Sequence, residues 1–240
     1  MPIEAPTRPP VEGNLDLHPY QIRIATRPAT FPRAPEPLNS CQVRTLQNLR
    51  GATSSIIMAN HGQGKTDVAI AAAQAALEAP NEIEHVVVLT DPVSPEYWVS
   101  EITELTGHRD ATVVKGPRGL RWRSYATVPR RWTVIPYSLV ATDVEALRPL
   151  MQSSLLIIDQ APQVRNSQSA RSKATARLSR SAARRLTVLP APNYYTIDEW
   201  HYIVVALALD PRGDNREAAH RVARLVNNMA MPDGFLSITA

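Results

Sequence analysis

Residues 59–66 combine glycines, a lysine and a hydroxyl side chain in an order suited to holding phosphate groups. Glycines let successive backbone N–H groups turn towards an anion, and the positive end of a following helix adds to that attraction. A lysine at position 65 supplies positive charge to the outer phosphates of a nucleotide, and a threonine hydroxyl at position 66 is a typical Mg²⁺ ligand. The residues of this loop predicted to bind the nucleotide are Gly62, Gln63, Gly64, Lys65 and Thr66. The alternative is a flexible glycine loop that contains a lysine by chance.

An aspartate at the end of a second apolar segment fits the same chemistry. Residues 155–158 are leucines and isoleucines, and Asp159 follows them directly. A carboxylate at the end of a buried strand, downstream of a phosphate loop, is the usual second anchor for Mg²⁺. Thr66 and Asp159 are therefore the predicted metal ligands. The alternative is an aspartate that only caps the start of a helix.

Short apolar segments alternate with helical patterns along most of the chain. The predicted strands cover residues 55–59, 86–89, 111–114, 132–136, 155–159 and 186–189. Helices are predicted over 38–49 and 66–79, from Ser94–Pro95, from a capping box of Thr196 and Glu199, and over about 215–229. This alternation predicts an α/β fold with a mostly parallel sheet and helices on both faces. Ligands bind such sheets at the carboxyl ends of the strands, where the glycine loop and Asp159 both lie.

The composition excludes several classes of protein. The only cysteine is Cys41, so an internal disulfide framework and a zinc site built on thiolates are ruled out. No run of about 18 apolar residues is present, and the first residues lack the basic and then apolar order of a signal peptide. We therefore expect a cytoplasmic protein that has no membrane partner.

Proline divides the chain into a predicted arm and a predicted domain. Residues 1–37 contain nine prolines, which remove backbone donors and block helices, so this segment is predicted to be an extended arm outside the core. Residues 38–211 are predicted to form the nucleotide-binding domain, and 212–240 a C-terminal helix and tail. The last helix either closes the sheet of the same domain or docks on a partner.

Positive charge is concentrated in two segments that contain no acid. Residues 111–140 and 163–187 hold thirteen of the 26 lysines and arginines, whereas all 22 acidic residues lie elsewhere in the chain. Segregation of this kind predicts a surface that binds nucleic acid, and the alternative is a solvated face. Trp122, which lies between two arginines, is a candidate for stacking on a base, whereas Trp98 and Trp200 lie on apolar stripes and are predicted to be core residues.

The order of these segments resembles the first RecA-like lobe of superfamily 2 helicases, and in particular that of the Swi/Snf-like DNA translocases. The phosphate loop matches motif I, and Asp159 to Pro162 stand where the family has Asp-Glu-Ala-His. Pro92 to Ser94, with Trp98 and Glu101, resemble motif Ia, which implies that Ser94 contacts the DNA backbone. Pro136 to Leu139 resemble the Thr-Tyr-Ser-Leu segment of the family, and 164–166 the Ile-Lys-Asn that follows motif II.

The resemblance also implies a contact to the adenine base. The opening helix of the family carries a glutamine that reads adenine, and Gln42 holds that position relative to Lys65. Residues 17–21 match the Leu-x-x-Tyr-Gln sequence of the motif better, but Gln21 lies far upstream of the phosphate loop. Gln42 is therefore the predicted adenine contact, and Gln21 is its rival.

Three departures from the family pattern concern hydrolysis. In the family, the glutamate after the magnesium aspartate deprotonates the attacking water, but here the residue is Gln160, whose amide cannot accept a proton. The motif III hydroxyls are missing from 189–192, and we expect no second lobe within the residues after 211. The resemblance therefore implies a catalytic set of Lys65, Asp159 and Gln160 that hydrolyses ATP weakly unless a second chain supplies the other lobe.

These observations predict a RecA-like phosphate-loop domain that binds Mg–ATP and DNA. Two other functions stay open: a pseudo-ATPase that serves as a nucleic-acid-binding or regulatory module, and another phosphate-loop ATPase such as a DNA-packaging motor. The residues predicted to contact nucleic acid are Ser94, Arg118, Arg121, Arg123, Arg165, Arg171 and Lys173.

Overall fold

One nine-stranded β-sheet organises the chain in a computed structural model that describes residues 15–17, 20–26, 38–80, 83–127, 131–190, 196–210, 213, 216–228 and 234–240. The strands are β1 (Leu15–Leu17), β2 (Tyr20–Thr26), β3 (Ser54–Ala59), β4 (His85–Thr90), β5 (Thr112–Val113), β6 (Trp132–Pro136), β7 (Ser154–Ile158), β8 (Arg184–Pro190) and β9 (Gly234–Thr239). The helices are α1 (Ser40–Leu49), α2 (Lys65–Glu78), α3 (Pro95–Thr106), α4 (Arg118–Thr127), α5 (Tyr137–Met151), α6 (Ala170–Ser181), α7 (Ile197–His201) and α8 (Arg216–Asn228). A 3₁₀ turn covers Ala161–Val164, and α7 continues as a π-helix over Tyr202–Leu209.

Strands β5, β6, β4, β7, β8 and β3 lie side by side in this order and run parallel. Every residue of β3, β4 and β7 is buried, which explains why these strands carry continuous apolar runs rather than an alternating pattern. The predicted α/β fold with a mostly parallel sheet is confirmed.

Helices cover both faces of this sheet. In β3, Ile57 and Ala59 pack in the layer that includes α1, α2 and α3, whereas Ile56 and Met58 pack in the layer formed by α4 to α8. Trp98 and Trp200 are buried core residues, as predicted. Helices α4, α5 and α6 were not predicted, because polar and basic residues dominate α4 and α6.

The sheet extends at one edge into both ends of the chain. Strand β9 pairs antiparallel with β3, β2 pairs antiparallel with β9, and β1 completes this edge. Residues 20–26 are extended, as predicted, but they form a strand of the sheet rather than part of an arm outside it. Residues 234–239, predicted as a tail, form a fully buried strand. Of the predicted helix over 215–229, residues 215 and 229 lie outside the described residues, and α8 packs against β2 and the π-helix.

The strand order places several loops at one edge of the sheet. Strands β3, β8, β7 and β4 are consecutive neighbours, and their carboxyl ends lead into the phosphate loop, Pro190, Asp159 and Asp91. The carboxyl edge of the parallel strands is therefore where the predicted chemistry is assembled.

No described helix is both long and apolar enough to cross a membrane.

Candidate nucleotide and nucleic-acid sites

The phosphate loop connects β3 to α2 through two glycines in the left-handed region. Gly64 has a φ of 79° and lies directly before the first residue of α2, which is Lys65. A Cβ atom at position 64 would clash with Nε2 of Gln42 and lie 2.6 Å from Oδ2 of Asp67. The positive φ favours glycine at this position, whereas the two crowding atoms are the ends of flexible side chains; the result is a tight backbone turn at a helix N-terminus.

The ammonium of Lys65 is held inside the loop. Its Nζ donates to the carbonyl oxygens of Ala59 and Asn60 at 2.9 and 2.8 Å. Burial lowers the pKa of Lys65, and the nearby Asp159 carboxylate opposes this shift. Gln63 closes the loop, because its Oε1 accepts from the backbone N–H of Asn60 at 3.1 Å. The loop therefore presents its charge in a fixed place before any ligand arrives.

Gln42 packs against the back of the phosphate loop. Its Oε1 accepts from the backbone N–H of Asn39 at 2.8 Å, and its Nε2 lies 3.4 Å from the carbonyl oxygens of Gln63 and Gly64. The rival Gln21 pairs in register with Thr239, which in turn faces Ser55 at the amino end of β3. Position 21 is therefore at the opposite end of the sheet from the phosphate loop, whereas Gln42 touches it.

Asp159 is a buried carboxylate with a tight set of donors. Its Oδ2 accepts from Nε1 of Trp98 at 2.8 Å and from Oγ1 of Thr90 at 3.1 Å. The hydroxyl of Tyr137 donates to the backbone oxygen of Asp159 at 2.6 Å. Burial raises the pKa of Asp159, and the hydrogen bonds from Trp98, Thr90 and the backbone of Gln160 oppose that rise.

Gln160 has the only positive φ, 47°, of a described residue other than glycine. It precedes the 3₁₀ turn and is exposed at the site. The left-handed conformation is uncommon for a side chain of this kind, and such conformations cluster at functional sites. The turn therefore directs position 160 into the site whether an amide or a carboxylate stands there.

A cavity of ≈ 960 Å³ joins the two halves of the site. Lys65, Thr66, Asp159 and Gln160 all line it, so the structure brings the predicted catalytic and metal-binding residues together. Its other lining residues are His61, Gly62, Gly64, Asp67, Ser94, Tyr97, Glu101, Val188 and Pro190. A second cavity of ≈ 440 Å³ lies at the amino ends of β3, β7 and β8 and is lined by none of the predicted site residues.

Sequence reasoning missed two polar groups of the large cavity, Asp67 and Tyr97, and placed Glu101 in the segment that resembles motif Ia but not in the cavity. Burial raises the pKa of Asp67. Burial also raises the pKa of Glu101, and the negative charge of Asp67 raises it further. Tyr97 and Glu101 are three and seven residues beyond Ser94. Helical spacing from Ser94 was the signal that could have placed them on the cavity side of α3.

The residues present fit a nucleotide together with Mg²⁺. Gly64 allows the left-handed turn of the loop, Lys65 offers positive charge, and Thr66 and Asp159 offer one hydroxyl and one carboxylate as ligands. In the described part of the chain, no group of three or more His, Cys, Asp or Glu residues could hold a metal without such a ligand. Mg²⁺ commonly binds through one or two carboxylates plus substrate phosphates, so this sparse donor set suits it.

Helix α4 divides the basic residues of the first acid-free segment by role. Arg118 is exposed, and its guanidinium stacks 4.1 Å from the centroid of the Trp122 ring. Arg121 is buried and binds Asp143 of α5 with two hydrogen bonds, from Nε at 2.6 Å and from Nη2 at 2.7 Å. Arg121 is therefore a core residue and cannot contact nucleic acid, which corrects its place in the predicted set. Arg123 is exposed on the same helix.

The second acid-free segment forms α6, which packs on the same face of the sheet as α4. Lys173 is exposed, and Arg171 is half-buried near Tyr137. Arg165, just before α6, pairs with Glu199 at 3.1 Å. The helices α4 and α6 both pack against α5, which links the two segments although they are far apart in the sequence.

Ser94 lies on the other side of the site, at the start of α3. Its hydroxyl donates to Oδ2 of Asp91 at 2.7 Å, and the backbone N–H groups of Val93 and Ser94 donate to Oδ1 of the same carboxylate. Ser94 also lines the large cavity. The structure therefore places it at the large cavity, on a different face of the sheet from the basic helices.

A parallel sheet covered by helices on both faces, with a phosphate loop after β3 and an aspartate after β7, defines a RecA-like α/β domain. Comparison with solved structures gives a more particular likeness, to the SWI2/SNF2 ATPase core of Sulfolobus solfataricus in complex with double-stranded DNA. The TM-score is 0.61 at 18% sequence identity, over 74% of this chain and 36% of the other. This chain therefore matches about a third of that structure. No protein-family model and no curated protein matches this chain.

Proposed function

We propose that this chain is the ATP-binding lobe of a Swi/Snf-like superfamily 2 DNA helicase or translocase. The observation that carries the proposal is the single cavity lined by Lys65 and Thr66 on one side and by Asp159 and Gln160 on the other. Lys65 would exchange the loop carbonyls that now hold its ammonium for phosphate oxygens. Thr66 and Asp159 would hold the Mg²⁺ that neutralises the phosphates.

The weak step in this site is the activation of water. Gln160 can orient a water molecule by hydrogen bonds, but its amide cannot take the proton. A second RecA-like lobe carries arginine fingers in this class of motor and would complete the site. Removing such an arginine costs about 10³–10⁵-fold in phosphoryl transfer, so this chain alone should turn over slowly.

Gln160 also favours a second function, that of a catalytically inactive pseudo-ATPase. In that case Mg–ATP would bind and order the loops around the cavity, and the chain would act as a nucleic-acid-binding or regulatory module. The two functions share one binding site and differ in whether the phosphoanhydride bond is broken. Supplying a second RecA-like lobe in trans and measuring phosphate release separates them.

Binding to DNA is proposed from the cations of the basic helices. Arg118, Arg123 and Lys173 are exposed and Arg171 is half-buried, and these four remain in the proposed contact set. Of the other predicted contacts, Arg121 is buried, Arg165 pairs with Glu199, and Ser94 lines the large cavity. Helices α4 and α6 lie on one face of the sheet on either side of α5, which would present these charges together to a phosphate backbone. The structural neighbour, whose structure contains double-stranded DNA, supports duplex DNA as the first ligand to test.

The first experiment is a titration with a fluorescent ATP analogue in the presence of Mg²⁺. Wild type should bind, and Lys65→Ala should lose about 10–100-fold in affinity, because it removes a charge-assisted contact to the phosphates worth about 1.5–3 kcal/mol. The matched control is Lys173→Ala, which removes an exposed lysine that does not line the cavity and should bind like wild type. Equal binding by wild type and Lys65→Ala would reject the proposed nucleotide site.

A further inference from the structure

The hydrogen bonds around Asp159 come from residues outside the strand that carries it. Trp98 belongs to α3 and Thr90 ends β4, and the side chains of both are completely buried. Their donors converge on one oxygen, Oδ2, at 2.8 and 3.1 Å. A carboxylate oxygen has two lone pairs, so two donors at these distances saturate Oδ2.

The position of the Trp98 indole is itself fixed. Asp91 accepts three hydrogen bonds from the turn at Val93 and Ser94, and this turn starts α3. The backbone N–H of Trp98 donates to the carbonyl oxygen of Ser94 at 3.1 Å, in the first turn of the helix. The backbone N–H of Asp159 also donates to the carbonyl oxygen of Leu89, which ties β7 to β4 beside Thr90. The donors and the acceptor therefore belong to one rigid unit.

We propose that Trp98 and Thr90 are positioning residues that occupy Oδ2 of Asp159 and so direct its other oxygen, Oδ1, to the Mg²⁺ that accompanies the nucleotide. The inference rests on the proposed function, because it concerns the metal of that same site. Groups that hydrogen-bond a metal ligand commonly change metal affinity by about 10–100-fold when they are removed. Trp98 thus has a role beyond its place in the core.

The chain offers a matched control for the indole N–H. Trp132 is completely buried in the same helical layer as Trp98, but its Nε1 has no hydrogen-bond partner among the described residues. Replacing either tryptophan by phenylalanine removes a similar volume of buried ring. Only the change at position 98 removes a donor to Asp159.

The test measures the Mg²⁺ concentration that gives half-maximal binding of a fluorescent ATP analogue, together with analogue binding in EDTA. Trp98→Phe should raise the half-maximal Mg²⁺ concentration by about 10–100-fold and leave binding in EDTA within about twofold of wild type. Trp132→Phe should leave both values unchanged. A merely structural role for Trp98 would weaken binding in EDTA as well, or would shift both variants equally, and either result overturns the proposal.

A second pair of variants covers the case in which Trp98→Phe does not fold. Thr90→Val keeps the shape of the side chain and removes the hydroxyl, so it should raise the Mg²⁺ requirement, whereas Thr90→Ser should restore the wild-type value. If wild type binds the analogue with Mg²⁺ and Thr90→Val needs no more Mg²⁺ than Thr90→Ser, the positioning role is wrong and the nucleotide site stands. If wild type does not bind the analogue at all, the proposed function fails and this inference fails with it.

Discussion

The phosphate loop and the basic helices α4 and α6 are built in opposite ways. The loop holds its charge with main-chain carbonyl groups close in the sequence, since Lys65 is bound by Ala59 and Asn60. The basic helices carry long side chains whose partners come from other helices, as Arg121 does with Asp143. A motif in which the fold and the chemistry are local can be found by inspecting the sequence. A charge pattern cannot show which of its members are already paired.

The pair of Arg121 and Asp143 illustrates this limit. An acid-free segment of sequence suggests that all its cations are available, but Asp143 of α5 lies 22 residues further along the chain. Asp143 also accepts from the side chains of Trp122 at 3.2 Å and Tyr125 at 2.9 Å. This buried network fixes α4 on α5. Arg118 and Arg123 of α4 are exposed.

The largest expected effect comes from breaking that buried pair. Asp143→Asn should lower the free energy of unfolding by about 3–5 kcal/mol, because it leaves the Arg121 charge buried without a counter-charge. The matched control is Glu145→Gln on the same helix, whose carboxylate pairs at the surface with Arg148 and Arg177. Exposed pairs contribute about 0–1 kcal/mol, so the control should change stability little. Chemical denaturation at pH 7 measures both, and equal losses would contradict a core role for Arg121.

The same pair should make stability depend on acid in a defined direction. Burial alone would raise the pKa of Asp143, but hydrogen bonds from Arg121, Tyr125, Trp122 and Thr142 outweigh it and lower the pKa. The contribution of the pair is therefore complete above the unfolded aspartate pKa of about 3.9 and is lost as the pH falls through the lower folded value. The stability difference between wild type and Asp143→Asn should be constant near neutral pH and shrink below about pH 4. A difference that is unchanged down to pH 2 would show that the carboxylate charge is not what stabilises this network.

The next effect concerns the incomplete half of the nucleotide site. Gln160→Glu keeps the length of the side chain and places a residue of the same shape in the same left-handed conformation. It adds a proton acceptor at an exposed position that lines the cavity. Loss of a general base typically costs about 10²–10⁴-fold, so the variant should turn over ATP at least about 10²-fold faster than wild type, with nearly unchanged affinity. Steady-state phosphate release measures the rate, and Lys65→Ala in the same background is the control for contaminating ATPase. An unchanged rate would show that the second lobe, rather than position 160, limits hydrolysis.

The sequence predicted the parts of the molecule that depend on local order. The apolar strands, the loop at Gly64 and the capping box of Thr196 and Glu199 are where the pattern placed them. The antiparallel edge was missed. Strand β9 lies between β2 and β3 and pairs with both, and these partners are far from residues 234–239 in the sequence. The donors to Asp159 were missed for a similar reason. The apolar stripe predicted that Trp98 is a core residue but gave no partner for its indole N–H.

The smallest effect tests which cations of the basic helices are available to DNA. Lys173 is exposed on α6 and has no ion-pair partner among the described residues, whereas Lys115 pairs with Glu96. Each cation that neutralises a phosphate of duplex DNA adds about 0.9 to the slope of log affinity against log salt. Lys173→Gln should therefore reduce the slope by about 0.9, and Lys115→Gln, the same substitution in the other segment, should reduce it by much less.

The comparison of these two lysines distinguishes a specific surface from a general attraction. A titration of duplex DNA at several salt concentrations gives the slope for wild type and both variants. If net charge alone drives binding, both substitutions remove one charge and should lower the slope equally, which would contradict a contact surface defined by unpaired cations. A wild-type slope near zero would reject phosphate contacts altogether, because displaced counter-ions are what make such binding depend on salt. A reduction at Lys173 alone would place the DNA on the face formed by α4, α5 and α6, on the far side of the sheet from α1, α2 and α3.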